Sequence, residues 1–276
     1  MPEETRAVVV TGGGGGMGLA VAAALSGSGT LVLADVQEDL LEEGRQSLAA
    51  AGVEVRTVRC DVADADEVAA LAGIVGELGG LRSLVHAAGL SPKMADGRRV
   101  LDVDLVGTLR VLEALLPHAS DGTAAVCVGS IAGYADVAPG VEPLLDDPLA
   151  TGFVDAVEAK LDTALDGMTA YVLAKRGVMR ACERLSGPWG ARGARIVSIA
   201  PGIIDTPMGR LESDGDDLVA AMVDATPVKR PGHAPLPGRP ADVAALVAFL
   251  CSDAASFVSG CDIRIDGGLV GHGRHG

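Results

Sequence analysis

The sequence predicts a doubly wound α/β fold, a seven-stranded, mainly parallel sheet with helices on both faces, and three observations carry that expectation. Residues 7–10 are apolar and β-branched, as suits a strand buried on both faces. Six of the next eight residues are glycine (Gly12 to Gly16 and Gly18), and they open onto an Ala-rich apolar run at 19–25 that favours a helix. A second apolar strand at 31–34 then ends on Asp35, and strand-like and helix-like segments alternate from there to the end of the chain.

In order, residues 37–51 read as a helix and 53–58 as a third strand running into Cys60-Asp61-Val62. A helix over 64–78 follows, with Asp64 as its N-cap, since a short carboxylate accepts from free first-turn amides. Leu84-Val85-His86 is a short strand leading into Ala87-Ala88-Gly89. A long helix over 98–117 precedes the strand 124–128 and Gly129-Ser130. Residues 134–168 break the rhythm: Pro139, Gly140, Pro143 and Pro148 come first. Leu149, Phe153, Val157, Leu161 and Leu165 then recur at four-residue intervals, which predicts an inserted helix. The stretch holds eight acids against Lys160 alone, the pattern of a solvated face. A helix over 169–186 carries Tyr171 and Lys175, and a strand over 195–199 closes on Pro201-Gly202. Residues 203–238 are rich in Pro and Gly with little periodicity, the profile of a substrate-covering loop. A helix at 241–251 and a strand at 263–265 complete one expected domain, 1–276, and the GHGRHG tail reads as a disordered end.

Aromatic residues are only 2% of a chain that is 49% hydrophobic, so Ala, Val, Leu and Ile must pack the core. A formal net charge of −15 disfavours nucleic acid and anionic membrane as partners. Residues 7–34 are uncharged and long enough to cross a bilayer, but eight glycines make a poor membrane helix. Pro2-Glu3-Glu4 also lacks the basic lead of a secretory signal. Five cysteines (60, 127, 182, 251, 261) show no paired short spacing, which fits reduced thiols and a cytoplasmic location. The five histidines form no ligand cluster, and no metal is expected.

A glycine turn that opens a helix lets backbone amides approach a pyrophosphate at the positive end of the helix dipole. A carboxylate closing the second strand accepts both ribose hydroxyls of an adenosine and repels a 2′-phosphate. A phosphate-binding loop of the ATPase type is excluded, because no Lys-Ser or Lys-Thr follows the last glycine. Tyr171 and Lys175 are four residues apart and share one helix face. An ammonium beside a phenol favours the phenolate, and each unit of lowered pKa requires about 1.4 kcal/mol of differential stabilisation. The other tyrosine, Tyr134, has Ala138 in the equivalent place.

Taken together, Thr11-Gly12-x-x-x-Gly16-x-Gly18, Asp61-Val62, Ala87-Ala88-Gly89, Ser130, Tyr171-x-x-x-Lys175 and Pro201-Gly202 stand in an order that resembles the short-chain dehydrogenase/reductases. The run GRPADVAALVAFLCSDAASFVSGCDIRIDGG looks like that family too, and the likeness covers nearly the whole chain. It implies a Rossmann domain whose Thr11, Gly12, Gly16, Met17 and Gly18 line the pyrophosphate, with Ala88 and Gly89 beside the cofactor. Asp35 would hold the adenosine ribose and select NAD(H) over NADP(H), no base following at Val36 or Gln37. Asp61 and Val62 would meet the adenine, while Pro201, Gly202, Ile204 and Thr206 would sit by the carboxamide. Ser130 would bond the substrate oxygen, Tyr171 would exchange the proton, and Lys175 would bind the nicotinamide ribose and lower the tyrosine pKa.

Three departures from the family pattern stand out. His86 replaces the asparagine usual before Ala-Ala-Gly, which implies altered strand bonding. Asp104 stands where a fourth catalytic residue, an asparagine, is expected; it can hold a relay water but cannot donate as an amide does. Ser130 and Tyr171 are 41 residues apart (171 − 130) where about a dozen is usual, an insertion resembling the bacterial 3α-hydroxysteroid dehydrogenase/carbonyl reductases. In most of the family the catalytic helix builds a dimer face, so an inserted helix just before it would cover or replace that face. The reading implied is an NAD(H)-dependent oxidoreductase interconverting a secondary alcohol and a ketone on a small apolar substrate, as a homo-oligomer (dimer or tetramer). An NAD-sensing binding protein on the same fold, and a methyltransferase sharing the opening βαβ unit, remain as alternatives.

Overall fold

The computed structural model describes residues 6–229 and 237–275. Its strands are β1 (Ala7–Thr11), β2 (Thr30–Asp35), β3 (Arg56–Arg59), β4 (Leu81–His86), β5 (Ala119–Val128), β6 (Arg195–Pro201) and β7 (Asp262–Ile265). They form one sheet in the order β3-β2-β1-β4-β5-β6-β7, and every pairing is parallel. The chain leaves β1 toward one edge and returns at β4 toward the other, which opens a crevice above the carboxyl ends of β1 and β4. The glycine turn and Ala87-Ala88-Gly89 both end there.

Side chains alternate across the sheet as a period of two requires. Ala7 and Val9 pack into the layer beneath α3 (Ala65–Glu77) and α5 (Thr108–Leu115), and Val8 and Val10 into the layer beneath α1 (Gly16–Ala24). The second layer also takes α2 (Glu38–Ala50) and α10 (Pro240–Cys251). Asp64 caps α3 as expected, its carboxylate accepting from the Asp66 and Glu67 amides. Cys60, Cys127, Cys182 and Cys251 are buried free thiols. No helix among the described residues is long and apolar enough to cross a membrane.

Three segments depart from the sequence expectation. The helix expected over 98–117 is α4 (Gly97–Leu101), a π-helical stretch (Asp102–Gly107) and α5 in succession. Wide π turns mark places where side chains must be re-aimed, and this one carries Asp104. The inserted helix is shorter than its apolar repeat: α6 (Phe153–Leu161) stops where Asp162 takes φ +54°. Phe153, Val157 and Leu165 nonetheless enter the core, Leu165 from the turn beyond the helix. The expected loop 203–238 contains α8 (Pro207–Ser213) and α9 (Asp217–Ala225); its residues 230–236 lie outside the described set. The tail expected to be disordered forms α11 (Leu269–His275).

The acids of the insertion also do more than face solvent. Glu142 and Asp146 pair with Arg176, Arg180 and Arg184, a stripe at four-residue spacing on α7 (Gly167–Gly190). Arg180 grips Asp146 with two hydrogen bonds of 2.8 and 2.7 Å. Asp155 and Glu158 on α6 both hold Arg98 of α4. Asp166 caps α7 by accepting from the Thr169 amide. Gly97 is required at this junction, because a Cβ there would lie 2.1 Å from the Leu165 carbonyl oxygen. The insertion therefore anchors the start of the helix that carries Tyr171 and Lys175.

Candidate active site

The glycine turn is shaped by contacts that exclude side chains. A Cβ on Gly18 would lie 2.1 Å from the Gly12 carbonyl oxygen, and one on Gly12 (φ +65°) would lie 2.7 Å from the Ala87–Ala88 peptide. Gly15, at the N-cap of α1, offers no side chain to the first-turn amides. Those amides and the positive helix end suit an anionic group. Asp35 is tied to the turn: its Oδ2 accepts from the Gly14 amide at 3.1 Å and its Oδ1 from the Gln37 amide at 3.1 Å. Each oxygen keeps a second lone pair for a ribose hydroxyl. The Asp61 carboxylate is more engaged, holding Arg99 at 2.7 Å and the Ala63 amide at 2.9 Å, while Val62 is buried against Gly107.

Behind the turn, His86 bridges β1 and the first residue of α5. Thr108 Oγ1 donates to the Asp104 carbonyl oxygen at 2.7 Å, so it accepts from His86 Nε2 at 3.0 Å. His86 Nδ1 then accepts from Thr11 Oγ1 at 2.8 Å, and Thr11 Oγ1 accepts from the Ala88 amide at 3.4 Å. This chain of donors fixes a neutral ring. Burial, then the charge of Lys175, lowers its pKa to about 3. The altered strand bonding expected of His86 is thus a bridge that spans 75 residues to Thr11 and 22 to Thr108.

That bridge has a measurable consequence. The folded pKa lies below the ordinary 6.5, so the contribution of His86 to stability is intact above pH 6.5 and is lost as pH falls toward 3. The loss accrues at about 1.4 kcal/mol per pH unit. Denaturant melts of wild type and His86→Asn should diverge over that window, the variant losing less as pH falls. A stability difference independent of pH would contradict the neutral bridge.

Lys175 and Asp104 meet in front of His86. Lys175 Nζ lies 2.9 Å from Asp104 Oδ2, with side-chain exposures of 7% and 0%. The other carboxylate oxygen accepts from the Leu90 amide at 2.7 Å. Gly89 makes room for the pair, since a Cβ there would stand 3.1 Å from Asp104 Oδ2 and 3.3 Å from Lys175 Nζ. Burial pushes the Asp104 carboxyl up against the pull of Lys175. Burial opposes the Lys175 ammonium, but Asp104 and then Tyr171 hold its pKa above the usual lysine value.

Tyr171 lies one turn earlier on α7, and Lys175 Nζ is 5.2 Å from its ring centroid. Ser130 shares the cavity wall with Tyr171, and Ser130 Oγ accepts from the Ala132 amide at 3.1 Å, capping the turn after β5. Lys175 lowers the tyrosine pKa as expected, but burial outweighs it and the net shift is upward. Burial pushes it up; Lys175 and Ser130 pull it down, while Glu212 and Asp104 push it further up. Tyr134 is no rival base: its hydroxyl donates to Asp262 at 2.7 Å, and burial followed by that carboxylate carries its pKa to about 12.

Ser130 and Tyr171 open onto a cavity of about 520 Å³ whose wall also holds Met17, Gly202, Ile204 and Thr206. The structure therefore brings the first turn of α1, Ser130 and Tyr171, and the end of β6 to one cavity wall. Thr206 caps α8, its hydroxyl accepting from the Gly209 amide at 2.9 Å. Met208, Leu218, Val219 and Met222 make the cover apolar. Lys93 ties this cover down by donating to the carbonyl oxygens of Glu212 at 2.8 Å and Asp214 at 3.3 Å. Glu212, absent from the sequence expectation, lines the cavity with Oε1 buried and unpartnered. No periodicity or motif in 203–238 signals it. Among the described residues no cluster of His, Cys, Asp or Glu could hold a metal.

Comparison with known proteins accords with this geometry. Residues 6–141 match the short chain dehydrogenase family model, and 155–270 match that described as enoyl-(acyl carrier protein) reductase. The chain is 34% identical to cis-4-hydroxycyclohexanecarboxylate dehydrogenase of Sinomonas cyclohexanicum, covering 96% of each chain. It is 30% identical to the 3-alpha-hydroxysteroid dehydrogenase/carbonyl reductase of Comamonas testosteroni over 82% of this chain and 90% of that one. Among solved structures, a short-chain type dehydrogenase/reductase from Mycobacterium ulcerans superposes with a TM-score of 0.77 at 28% identity, covering 98% of this chain and 91% of that one. The chain belongs to the short-chain dehydrogenase/reductase family of oxidoreductases, which act on alcohols and ketones.

Proposed function

We propose that the protein is an NAD(H)-dependent oxidoreductase interconverting an alicyclic secondary alcohol and its ketone. The observation that carries this reading is the meeting of Ser130 and Tyr171, with Lys175 5.2 Å from the tyrosine ring, at a cavity that Met17 of α1 and the end of β6 also line. The names of two relatives, a hydroxycyclohexanecarboxylate dehydrogenase and a hydroxysteroid dehydrogenase, both describe ring alcohols and suit the apolar cover. Methionines such as Met17, Met208 and Met222 adapt to varied ring shapes. A homo-oligomer assembled without the α7 face is part of the reading, because the insertion's acids occupy the arginine stripe of that helix.

The residues fit the cofactor. The first-turn amides of α1 would bind the pyrophosphate, Asp35 the adenosine ribose, and Lys175 the nicotinamide ribose. A nicotinamide held there would supply or accept the hydride at the substrate carbon. Ser130 donates to the substrate oxygen and holds it toward Tyr171. In reduction the Tyr171 hydroxyl gives its proton to that oxygen as the alkoxide forms; in oxidation the phenolate takes it back. The apolar cover keeps competing water from the exchange.

Asp35 supplies the test of cofactor choice. Facing a 2′-phosphate with no base at Val36 or Gln37, it opposes NADP(H) by like charge. NADH should outperform NADPH in kcat/KM, and Asp35→Ser should shrink that ratio about tenfold to a hundredfold, the equivalent of 1.4–3 kcal/mol. Equal use of both cofactors by the wild type would overturn the assignment.

A further inference from the structure

We propose that Asp104 sets the working protonation state of Tyr171: by neutralising Lys175 it keeps the tyrosine a neutral phenol, so the site gives up a proton at neutral pH and accepts one only in alkali. The inference rests on the proposed acid–base role of Tyr171.

A lone ammonium beside a phenol stabilises the phenolate strongly in a dry site. Here the ammonium is not alone. Asp104 is fully buried and in direct contact with Lys175, and the Leu90 amide fixes the carboxylate in place. Seen from Tyr171, the two charges form a dipole, whose field falls with distance faster than that of a single cation.

The other charged groups facing the site do not restore the missing positive charge. Glu212, from α8, is a second carboxyl acting on both Tyr171 and Lys175. Lys93 stands beyond Glu212 and is occupied by the carbonyls that end α8. His86, behind Lys175, is held neutral by its two threonine partners. Ser130, beside Tyr171 on the cavity wall, carries no charge. One cation therefore faces two carboxyl groups around the phenol; burial is the largest cause of the raised tyrosine pKa, Lys175 opposes it, and Glu212 and Asp104 add to it. In ketone reduction a protonated Tyr171 is the required starting state; in alcohol oxidation it must first lose its proton to solvent. Asp104 thus fixes the pH range of each direction without touching the overall equilibrium.

The test is the ionisation of Tyr171 in the full-length chain, followed by near-ultraviolet phenolate absorbance in wild type, Asp104→Asn and Asp104→Ser, with Tyr171→Phe as the blank. Subtracting the Tyr171→Phe titration removes the contribution of Tyr134, whose pKa is also raised. Both Asp104 variants should lower the Tyr171 midpoint by about one pH unit or more. The rising limb of kcat/KM for alcohol oxidation should move down by the same interval, and the falling limb for ketone reduction with it. Thermal melts establish that the variants are folded, and the serine variant serves if the asparagine variant is not. A Tyr171 midpoint that stays put or rises in a folded variant overturns the inference. The absorbance titration decides this even if turnover proves independent of Tyr171, an outcome that would instead remove the acid–base reading.

Discussion

Tyr171→Phe lowers kcat/KM for alcohol–ketone interconversion by about 10²–10⁴-fold, the usual worth of a positioned proton donor. The substitution removes one oxygen and keeps the ring that Lys175 approaches at 5.2 Å, so packing of α7 and cofactor affinity should change little. Loss of turnover with NADH titrations still saturating at wild-type concentrations is the expected result. The effect reports chemistry rather than folding, because Tyr171 is half-buried at the cavity wall. Activity retained in this variant would place the proton exchange on another group, and Tyr134 is unsuited by its bond to Asp262.

Lys175→Met carries the largest expected cost in stability. The thioether fills the lysine's apolar path but leaves Asp104 with no cation, and removing one partner of a buried pair typically costs about 3–5 kcal/mol. For a chain of this size that corresponds to roughly 10 °C in Tm. The sign of the pH dependence follows from Asp104. Its folded pKa is already raised by burial and loses the lowering effect of Lys175 in the variant. The penalty is therefore small below the ordinary carboxyl value of 3.8, where the group is protonated folded and unfolded alike, and grows as pH rises. The double variant Lys175→Met/Asp104→Asn should recover most of the loss at pH 8, since no buried charge remains. Equal destabilisation of the single and double variants would mean that Lys175 supports the fold through packing rather than charge.

How far the sequence discloses the molecule depends on the range of the interactions. The opening βαβ unit is legible because its signals are local: apolar strands, a glycine turn that cannot hold a Cβ, and Asp35 returning to the Gly14 amide. Tyr171 and Lys175 are legible because four-residue spacing alone puts them on one face. Asp104 is visible as a departure, but its contact with Lys175 depends on a π-helical turn that tertiary packing imposes on a sequence of ordinary helical character. His86 reaches Thr11 and Thr108 across the sheet, and no local pattern encodes that bridge. The insertion's apolar repeat correctly marks what is buried, whereas the end of α6 is decided by one residue, Asp162, at positive φ. Its acids look like a solvated face in one dimension because the arginine stripe they meet lies some 35 residues further along. Proline and glycine hide α8 and α9 within 203–238, and with them Glu212.

The most direct test of the account is transfer of label from NADH deuterated at the nicotinamide C4 to an alicyclic ketone. Wild type and Tyr171→Phe would be compared, with a 4-oxocyclohexanecarboxylate and a 3-oxosteroid as acceptors. The account predicts deuterium on the carbinol carbon of the product in wild type and a product yield cut at least about a hundredfold in the variant. NADH bound tightly with no labelled alcohol from either acceptor, or label transferred as fast without the Tyr171 hydroxyl, would contradict it.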